Sequence, residues 1–83
     1  MLTSIAGKSC IVTGGSKGIG KGIARVFAGR GAKIMIAARG EADAQRAREE
    51  IRGEGGIAEI YLCDVSQPEQ VTALVEATAE AFG

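Results

Sequence analysis

Thr13-Gly14-Gly15-Ser16-Lys17-Gly18-Ile19-Gly20 is the stretch that decides the fold, because it separates a strand pattern from a helix pattern. Before it, residues 9–13 are mainly apolar and β-branched, which is typical of a strand buried on both faces. After it, apolar residues recur at the spacing of one helix face until Gly29-Arg30-Gly31 supplies a left-handed stop. The residues of that predicted face are Ile19, Ile23, Ala24, Val26 and Phe27.

The rest of the chain repeats this alternation of strand and helix. Residues 33–37 and 57–63 predict a second and a third strand, and residues 41–52 between them predict a charged helix. In residues 66–69, Ser66 and Glu69 are expected to form a reciprocal capping box that starts the last helix. The inward stripes predicted for these two helices are Ala44, Ala47 and Ile51, and then Val71, Leu74, Val75, Thr78, Ala79 and Phe82.

This alternation predicts an α/β fold with a parallel sheet and right-handed crossovers, so the strand order should be 3-2-1. The two crossover helices should cover the same face of the sheet. The predicted architecture is a partial Rossmann fold of three strands and three helices, βαβαβα. We expect strand one to be an open edge of the sheet.

The glycine-rich stretch is suited to phosphate chemistry. A helix N-terminus offers unpaired amides and a partial positive charge, and glycines let the backbone approach a pyrophosphate because no Cβ stands in the way. Gly20, one turn into the helix, is expected to allow close packing on the strand. The alternative interpretation is a merely tight turn between strand and helix.

The glycine spacing is Gly-x-x-x-Gly-x-Gly, which differs from the widespread Gly-x-Gly-x-x-Gly fingerprint of dinucleotide sites. It resembles the Thr-Gly-x-x-x-Gly-Ile-Gly motif of the short-chain dehydrogenase/reductase family, whose members bind a nicotinamide cofactor there. The resemblance continues at Ala37-Ala38-Arg39, where the second strand ends, and at Asp64-Val65, which precede the last helix. It extends over essentially the whole chain, and it implies that residues 1–83 are the N-terminal half of a dinucleotide-binding Rossmann domain without its catalytic half.

The resemblance implies roles for individual residues. Asp64 would accept from the adenine amino group and Val65 would contact the base through its backbone; the alternatives are a turn carboxylate and simple packing at a strand end. The amides expected against the pyrophosphate and the adjoining ribose are those around Gly14, Ser16, Gly18, Ile19 and Gly20.

Charge at the end of the second strand predicts which cofactor is bound. NAD sites place Asp or Glu there to accept from the ribose 2′-hydroxyl, but this chain has Ala38 followed by Arg39. The Arg39 guanidinium can pair with a 2′-phosphate, and Lys17 can reach the same group. Both side chains also have a simple interpretation as solvated loop charges, and Glu41 and Asp43 can instead serve a ribose hydroxyl. We therefore expect NADP(H) in preference to NAD(H).

The family's later elements, a catalytic serine and a Tyr-x-x-x-Lys pair that moves the proton during hydride transfer, do not occur in the sequence. Tyr61 is the one tyrosine, and Val65 stands where the lysine would be needed. No catalytic residue and no metal ligand is therefore predicted among these residues, and the chain alone should be inactive.

The chain is expected to be part of an oxidoreductase that acts on a small carbonyl or alcohol substrate and forms a homo-oligomer, as the resemblance implies. It would be a fragment, a truncated gene product or an incompletely determined chain. If the truncation is natural, the alternative is a non-catalytic module for cofactor binding or subunit pairing.

A phosphate-loop NTPase is the remaining alternative, since residues 15–21 fit Gly-x-x-x-x-Gly-Lys and residues 60–64 form an apolar run ending in aspartate. The pattern fails at Gly22, which has no hydroxyl for magnesium where an NTPase needs Ser or Thr.

Composition excludes other classes of function. Ten basic and ten acidic residues cancel, and no block of like charge appears apart from a short basic-rich stretch around Arg46, Arg48 and Arg52, interleaved with Glu49 and Glu50. Neither a nucleic-acid surface nor a membrane surface is therefore expected. The first eight residues have no pattern of a targeting leader, which predicts a cytoplasmic protein. Cys10 and Cys63 fall on strands too far apart for a disulfide, so both are expected to be small buried hydrophobic residues.

Overall fold

The computed structural model of the chain describes residues 6–14 and 16–83. The start of the chain, on which the prediction of a missing leader rests, and Gly15 of the glycine-rich turn lie outside the described residues. No helix in the described part of the chain has the length and apolar character needed to cross a membrane.

The described elements alternate strictly between strand and helix. Their bounds are β1 Ser9–Thr13, α1 Gly18–Gly29, β2 Lys33–Ala38, α2 Glu41–Gly53, β3 Ile57–Leu62 and α3 Pro68–Phe82. Each predicted strand and helix is present. Where a predicted bound differs from the observed one, the difference is one residue in most cases. Gly31, with φ +91°, supplies the left-handed stop that was predicted after α1.

The three strands form one parallel sheet in which β2 lies in the centre. Ser9 is paired with Lys33 and Thr13 with Ala37, while on the other side Lys33 is paired with Ile57 and Ala38 with Leu62. The spatial order β1-β2-β3 is the predicted order 3-2-1. All three strands therefore end at the same edge, where the following loops must meet.

Alternate residues of β2 separate the core into two layers. Ile34 and Ile36 pack with residues of α1 and α2 on one face of the sheet. Met35 and Ala37 pack with Leu74 of α3 on the other face. The prediction that both crossover helices cover one face is confirmed. Since β2 is buried on both sides, its continuous apolar sequence is explained. The prediction that residues 9–13 form a strand buried on both faces is wrong, because β1 lies at the edge of the sheet and its residues are exposed or half-buried.

Helix α1 packs on the sheet through smaller residues than expected. Ala24 and Ala28 are buried, whereas Ile19 is 84% exposed. The prediction of one inward face that includes Ile19, Ile23, Val26 and Phe27 is therefore wrong, because these larger side chains are all exposed. Alanine at the contact lets the helix axis approach the strands closely, and the bulkier residues then lie on other sides of the helix.

The start of α3 also differs from the prediction. The capping residue is Gln67, without a side-chain capping bond, so the capping box of Ser66 and Glu69 does not form. Pro68 occupies the first helical position, which suits its fixed φ and missing amide hydrogen. The Ser66 hydroxyl instead donates to Asp64 Oδ1 at 2.7 Å.

The buried face of α3 is narrower than the predicted stripe. Leu74 and Thr78 are buried, and the Thr78 hydroxyl donates to the Leu74 carbonyl at 2.8 Å, which satisfies its hydrogen-bonding need. Phe82 packs against the same cluster. Val71, Val75 and Ala79 are exposed, so this half of the predicted stripe is wrong.

The two cysteines are free and lie on opposite faces of the sheet. Cys10 packs with the layer under α1 and α2, and Cys63 belongs to the layer under α3. Their separation by the sheet itself prevents a disulfide. Cys63 is buried and Cys10 is half-buried.

Candidate cofactor-binding site

The glycine-rich turn has a backbone conformation that requires glycine at two positions. Gly14 has φ +67° and Gly18 has φ +55°, in the left-handed region that other residues rarely adopt. A Cβ built at either position would have no neighbouring atom within 4 Å. Both glycines thus border open space, and the backbone at the turn can be approached closely by a ligand.

The first turn of α1 is available to an anion. Lys17 is the N-terminal capping residue, with extended backbone, and no side chain forms a capping bond to the helix. The first turn holds no acidic residue. Since free amides and the helix dipole favour negative charge at this end, the turn from Gly14 to Gly20 fits a diphosphate.

Backbone hydrogen bonds hold three loops at one edge of the sheet. The Gly14 amide donates to the Ala37 carbonyl at 2.9 Å, and the Cys63 amide donates to the Ala38 carbonyl at 2.9 Å. The glycine-rich turn and the loops after β2 and β3 are therefore neighbours. In open parallel sheets, ligands bind in the crevice at this carboxyl edge.

Lys17 links the glycine-rich turn to the start of α2. Its ammonium lies 3.0 Å from Asp43 Oδ2, and Arg46 Nη1 lies 3.0 Å from Asp43 Oδ1. The hydrogen bond from Lys17 is the main cause that lowers the pKa of the Asp43 carboxyl below its usual value. Glu41 is engaged differently, since its carboxylate accepts from Gln45 at 3.4 Å.

Arg39 follows β2 directly and is exposed. The next residue, Gly40, is the N-terminal cap of α2 and provides no side-chain capping bond. The charge of Arg39 contributes to a lowered pKa at Asp64, although less than the hydrogen bonds from Ser66 do. Arg39 and Asp64 are thus brought to the same edge of the sheet.

Asp64 forms a local turn while retaining an unused oxygen. Its Oδ1 accepts from the amide of Ser66 at 3.0 Å and from the Ser66 hydroxyl, and these two bonds lower its pKa. Its own amide donates to Gln70 Oε1 at 2.6 Å. No described residue donates a hydrogen bond to Oδ2. Val65 beside it is exposed, so the alternative of simple strand-end packing does not describe its side chain.

The structure thus brings all the predicted site residues to one edge of the sheet. They are Gly14, Ser16, Lys17, Gly18, Ile19 and Gly20 at the start of α1, Arg39 after β2, and Asp64 and Val65 after β3. The sequence did not reveal that Asp43 pairs with Lys17 or that Gln70 fixes the Asp64 amide. The acidic residues in the first turn of α2 could have indicated the contact of Lys17 with Asp43, but nothing in the sequence indicates the contact of Gln70 with Asp64.

The arrangement of Lys21 argues against a phosphate-loop NTPase. Its ammonium lies 2.6 Å from Glu50 Oε2 in α2, so the side chain is directed along the helix pair. In a phosphate loop this lysine must reach the phosphates. The described residues also include no group of three or more His, Cys, Asp or Glu side chains placed to hold a metal ion.

The groove between α1 and α2 lies away from this edge. It has a volume of about 460 Å³, and its walls include Val26, Ala28, Ile51 and Gly56. Arg25 and Glu54 pair across it, with Nε 3.1 Å from Oε1. The groove follows the ends of both helices rather than the glycine-rich turn, so it is separate from the candidate site at the carboxyl edge of the sheet.

Known proteins resemble the chain over nearly its full length. The family model of the short chain dehydrogenases matches residues 8–83. L-fucose dehydrogenase of Bos taurus is 42% identical over 83 residues, which are 100% of this chain and 29% of that protein. The crystal structure of a metagenomic short-chain oxidoreductase in complex with NADP has 34% identity and a TM-score of 0.89, covering 98% of this chain and 37% of that one. L-sorbose reductase from Gluconobacter frateurii, solved with NADPH and L-sorbose, has 37% identity and a TM-score of 0.91, covering 96% and 31%.

The chain therefore spans about a third of the length of the relatives that it matches. Within that length it has their fold, and the family match includes the glycine-rich turn and the loops after β2 and β3. The resemblance predicted from the glycine spacing is confirmed by the family model. The chain belongs to the short-chain dehydrogenase family.

Proposed function

We propose that this chain binds the adenosine and diphosphate part of NADP(H) and is the N-terminal half of the cofactor-binding domain of an oxidoreductase. The observation that carries the proposal is the opening of α1. Gly14 and Gly18 have positive φ, border open space and lead into a helix start without a side-chain cap. An incoming diphosphate finds amide donors there and no Cβ in its way.

The roles of the site residues follow from their positions. The amides around Gly14, Ser16, Gly18, Ile19 and Gly20 donate to the diphosphate and the adjoining ribose. Asp64 Oδ2 accepts from the adenine amino group, while Ser66 holds the other oxygen of the same carboxylate. Val65 contacts the base through its backbone. When bound, the nicotinamide would supply the hydride acceptor or donor for a carbonyl or alcohol substrate.

Preference for NADP(H) rests on charge at the end of β2. Ala38 is buried and has no carboxylate to accept from a ribose 2′-hydroxyl, whereas Arg39 is exposed and can pair with a 2′-phosphate. Lys17 is 74% exposed and close to the start of α2, so its ammonium can serve the same phosphate. Two of the similar proteins named above were solved with NADP or NADPH, which agrees with this choice.

Proton transfer in the whole enzyme is assigned to residues outside this chain. Tyr61 lies within β3 and packs against the layer under α3, and the residue four positions after it is Val65 rather than lysine. The 83 residues alone lack the family's catalytic residues, so they would bind the cofactor weakly and would not turn over a substrate. We further propose that the whole enzyme is a homo-oligomer in the cytoplasm, where free thiols such as Cys10 and Cys63 stay reduced.

An amide NMR titration tests the proposal directly. The chain is titrated separately with 2′,5′-ADP and with 5′-AMP, and the signals of Gly14, Ser16, Gly18 and Arg39 are followed. We expect shifts at these residues with both ligands and a lower Kd for 2′,5′-ADP. Equal Kd values would exclude the NADP preference, and a dispersed spectrum that neither ligand changes would exclude the site itself.

A further inference from the structure

Asp43 occupies an unusual position at the proposed cofactor edge, between two cations from different parts of the chain. Oδ2 lies 3.0 Å from the Lys17 ammonium, and Oδ1 lies 3.0 Å from Nη1 of Arg46, one turn further along α2. The Asp43 side chain is 31% exposed, so this carboxylate is more sheltered than the lysine that it holds. Both of its oxygens are thus engaged without any ligand.

The surroundings of Asp43 are otherwise suited to an anion. It lies in the first turn of α2. The capping residue of this helix is Gly40, which forms no side-chain capping bond, and Arg39 directly precedes Gly40. The other first-turn acid, Glu41, bonds to Gln45 and has no ion pair with Lys17. Asp43 is therefore the group that neutralises Lys17 in the ligand-free chain.

We propose that Asp43 is a built-in counter-ion that competes with the cofactor's 2′-phosphate for the Lys17 ammonium and so limits the preference for NADP(H). This inference rests on the proposed function. The 2′-phosphate must take Lys17 from Asp43, whereas a cofactor with a free 2′-hydroxyl leaves the ion pair intact. Asp43 is a positioning residue here, because it acts on the ligand through Lys17.

The size of the effect follows from the exposure of the pair. An ion pair with a largely exposed lysine is weak and screened by salt, so releasing Lys17 should change phosphate binding by about twofold to fivefold. Asp43→Asn keeps the shape of the side chain and removes its charge. This variant should therefore bind 2′,5′-ADP about twofold to fivefold more tightly at low ionic strength and bind 5′-AMP as the unaltered chain does.

Glu41→Gln is the matched control. It removes one negative charge from the same turn of α2 without touching Lys17, so it measures the general effect of charge on a phosphate ligand. Asp43→Glu, which keeps the charge, should leave the ratio of the Kd values for 2′,5′-ADP and 5′-AMP as it is in the unaltered chain. In a Lys17→Met chain, Asp43→Asn should no longer change that ratio, because the ammonium for which Asp43 and the phosphate compete is absent.

The test is a calorimetric titration of these variants with 2′,5′-ADP and 5′-AMP at low and at physiological salt. A gain for Asp43→Asn that exceeds that of Glu41→Gln and vanishes without Lys17 supports the inference. A loss of 5′-AMP affinity in Asp43→Asn would overturn it, since Asp43 would then accept from the ribose hydroxyl. An equal gain in both variants, or one that persists without Lys17, would also overturn it.

The same measurements distinguish a failure of the proposed function from a failure of the counter-ion inference. If the unaltered chain binds 2′,5′-ADP no more tightly than 5′-AMP, the NADP preference is wrong whatever the variants do. If the unaltered chain prefers 2′,5′-ADP and Asp43→Asn leaves the ratio unchanged, the counter-ion inference alone is wrong.

Discussion

Replacement of Gly56 by alanine should destabilise the fold because the added methyl group has no room. A Cβ at this position would lie 2.7 Å from Ile51 Cγ2 and 3.1 Å from both Ala28 Cβ and the Ile51 carbonyl oxygen. Ile51 is 1% exposed, Ala28 is also buried, and one of the three contacts is to the Ile51 backbone, so a change of side-chain rotamer alone does not relieve the overlap. The loop between α2 and β3 must then shift away from α1.

The magnitude can be worked out from the cost of overpacking. Forcing one extra methyl into a filled core costs about 1–3 kcal/mol. For a chain of this size, each 1 kcal/mol lowers Tm by about 4–8 °C, so a cost of about 2 kcal/mol lowers Tm by about 8–16 °C. The change should therefore be visible in both thermal and urea unfolding followed by circular dichroism.

Gly53→Ala is the control for this prediction. Gly53 ends α2, and a Cβ there would meet no atom within 4 Å, so alanine should leave stability unchanged or raise it slightly. Ile51→Leu removes the Cγ2 methyl, and in the Gly56→Ala background it should recover part of the lost stability. If the free energy of unfolding of the Gly56→Ala variant is within about 0.5 kcal/mol of that of the unaltered chain, the packing argument for this loop is refuted.

Three further predictions concern the cofactor edge. Gly18 has φ +55°, which alanine adopts at a cost, so Gly18→Ala should lower the free energy of unfolding by about 1–2 kcal/mol and weaken 5′-AMP binding by distorting the turn. The control is Gly22→Ala inside α1, which should leave stability unchanged or raise it in the same unfolding assay. Arg39→Met should reduce affinity for 2′,5′-ADP about tenfold and leave 5′-AMP binding unchanged; equal losses in calorimetry would contradict a 2′-phosphate contact. The pKa of Asp64 is lowered mainly by Ser66, so its stabilising effect is present above the unfolded pKa of about 4 and is lost as pH falls through the lower folded pKa. Ser66→Ala should diminish this acid-dependent loss of stability, and an unchanged pH profile would disprove the assignment.

The fold could be predicted from the sequence because glycines and apolar runs determine where each element ends. Gly14 and Gly31 adopt positive φ at the turns that the sequence placed there. The apolar run of residues 33–37 predicted a buried second strand, and the structure buries Ile36 and Ala37 on opposite sides of the sheet. Local rules were sufficient for these features, since each depends on residues close in sequence.

Features that depend on competition between neighbours could not be predicted. Periodicity assigned Ile23 and Phe27 to the buried face of α1, but close packing on a strand favours Ala24 and Ala28 at the contact. Ser66 matched the pattern of a helix cap, yet Pro68 moved the helix start and the Asp64 carboxylate took the serine hydroxyl. In both cases the sequence predicted which segment is involved. It did not show which residues of α1 make the contact or which group binds the Ser66 hydroxyl, because several neighbours compete for the same interaction.

The candidate site depends on the rigidity of β2 more than on its own side chains. Gly14 and Cys63, the residues beside the two outer loops, each donate a backbone hydrogen bond to the last residues of this strand, Ala37 and Ala38. Those residues are buried, and Ile36 before them is fully buried between the helices. A slip of one residue in β2 would turn its Ile side chains to the wrong layer, so the register is strongly specified. The spacing between the glycine-rich turn, Arg39 and Asp64 is therefore set by the core of the sheet, which explains how a turn with few side chains can form part of a candidate site with a fixed geometry.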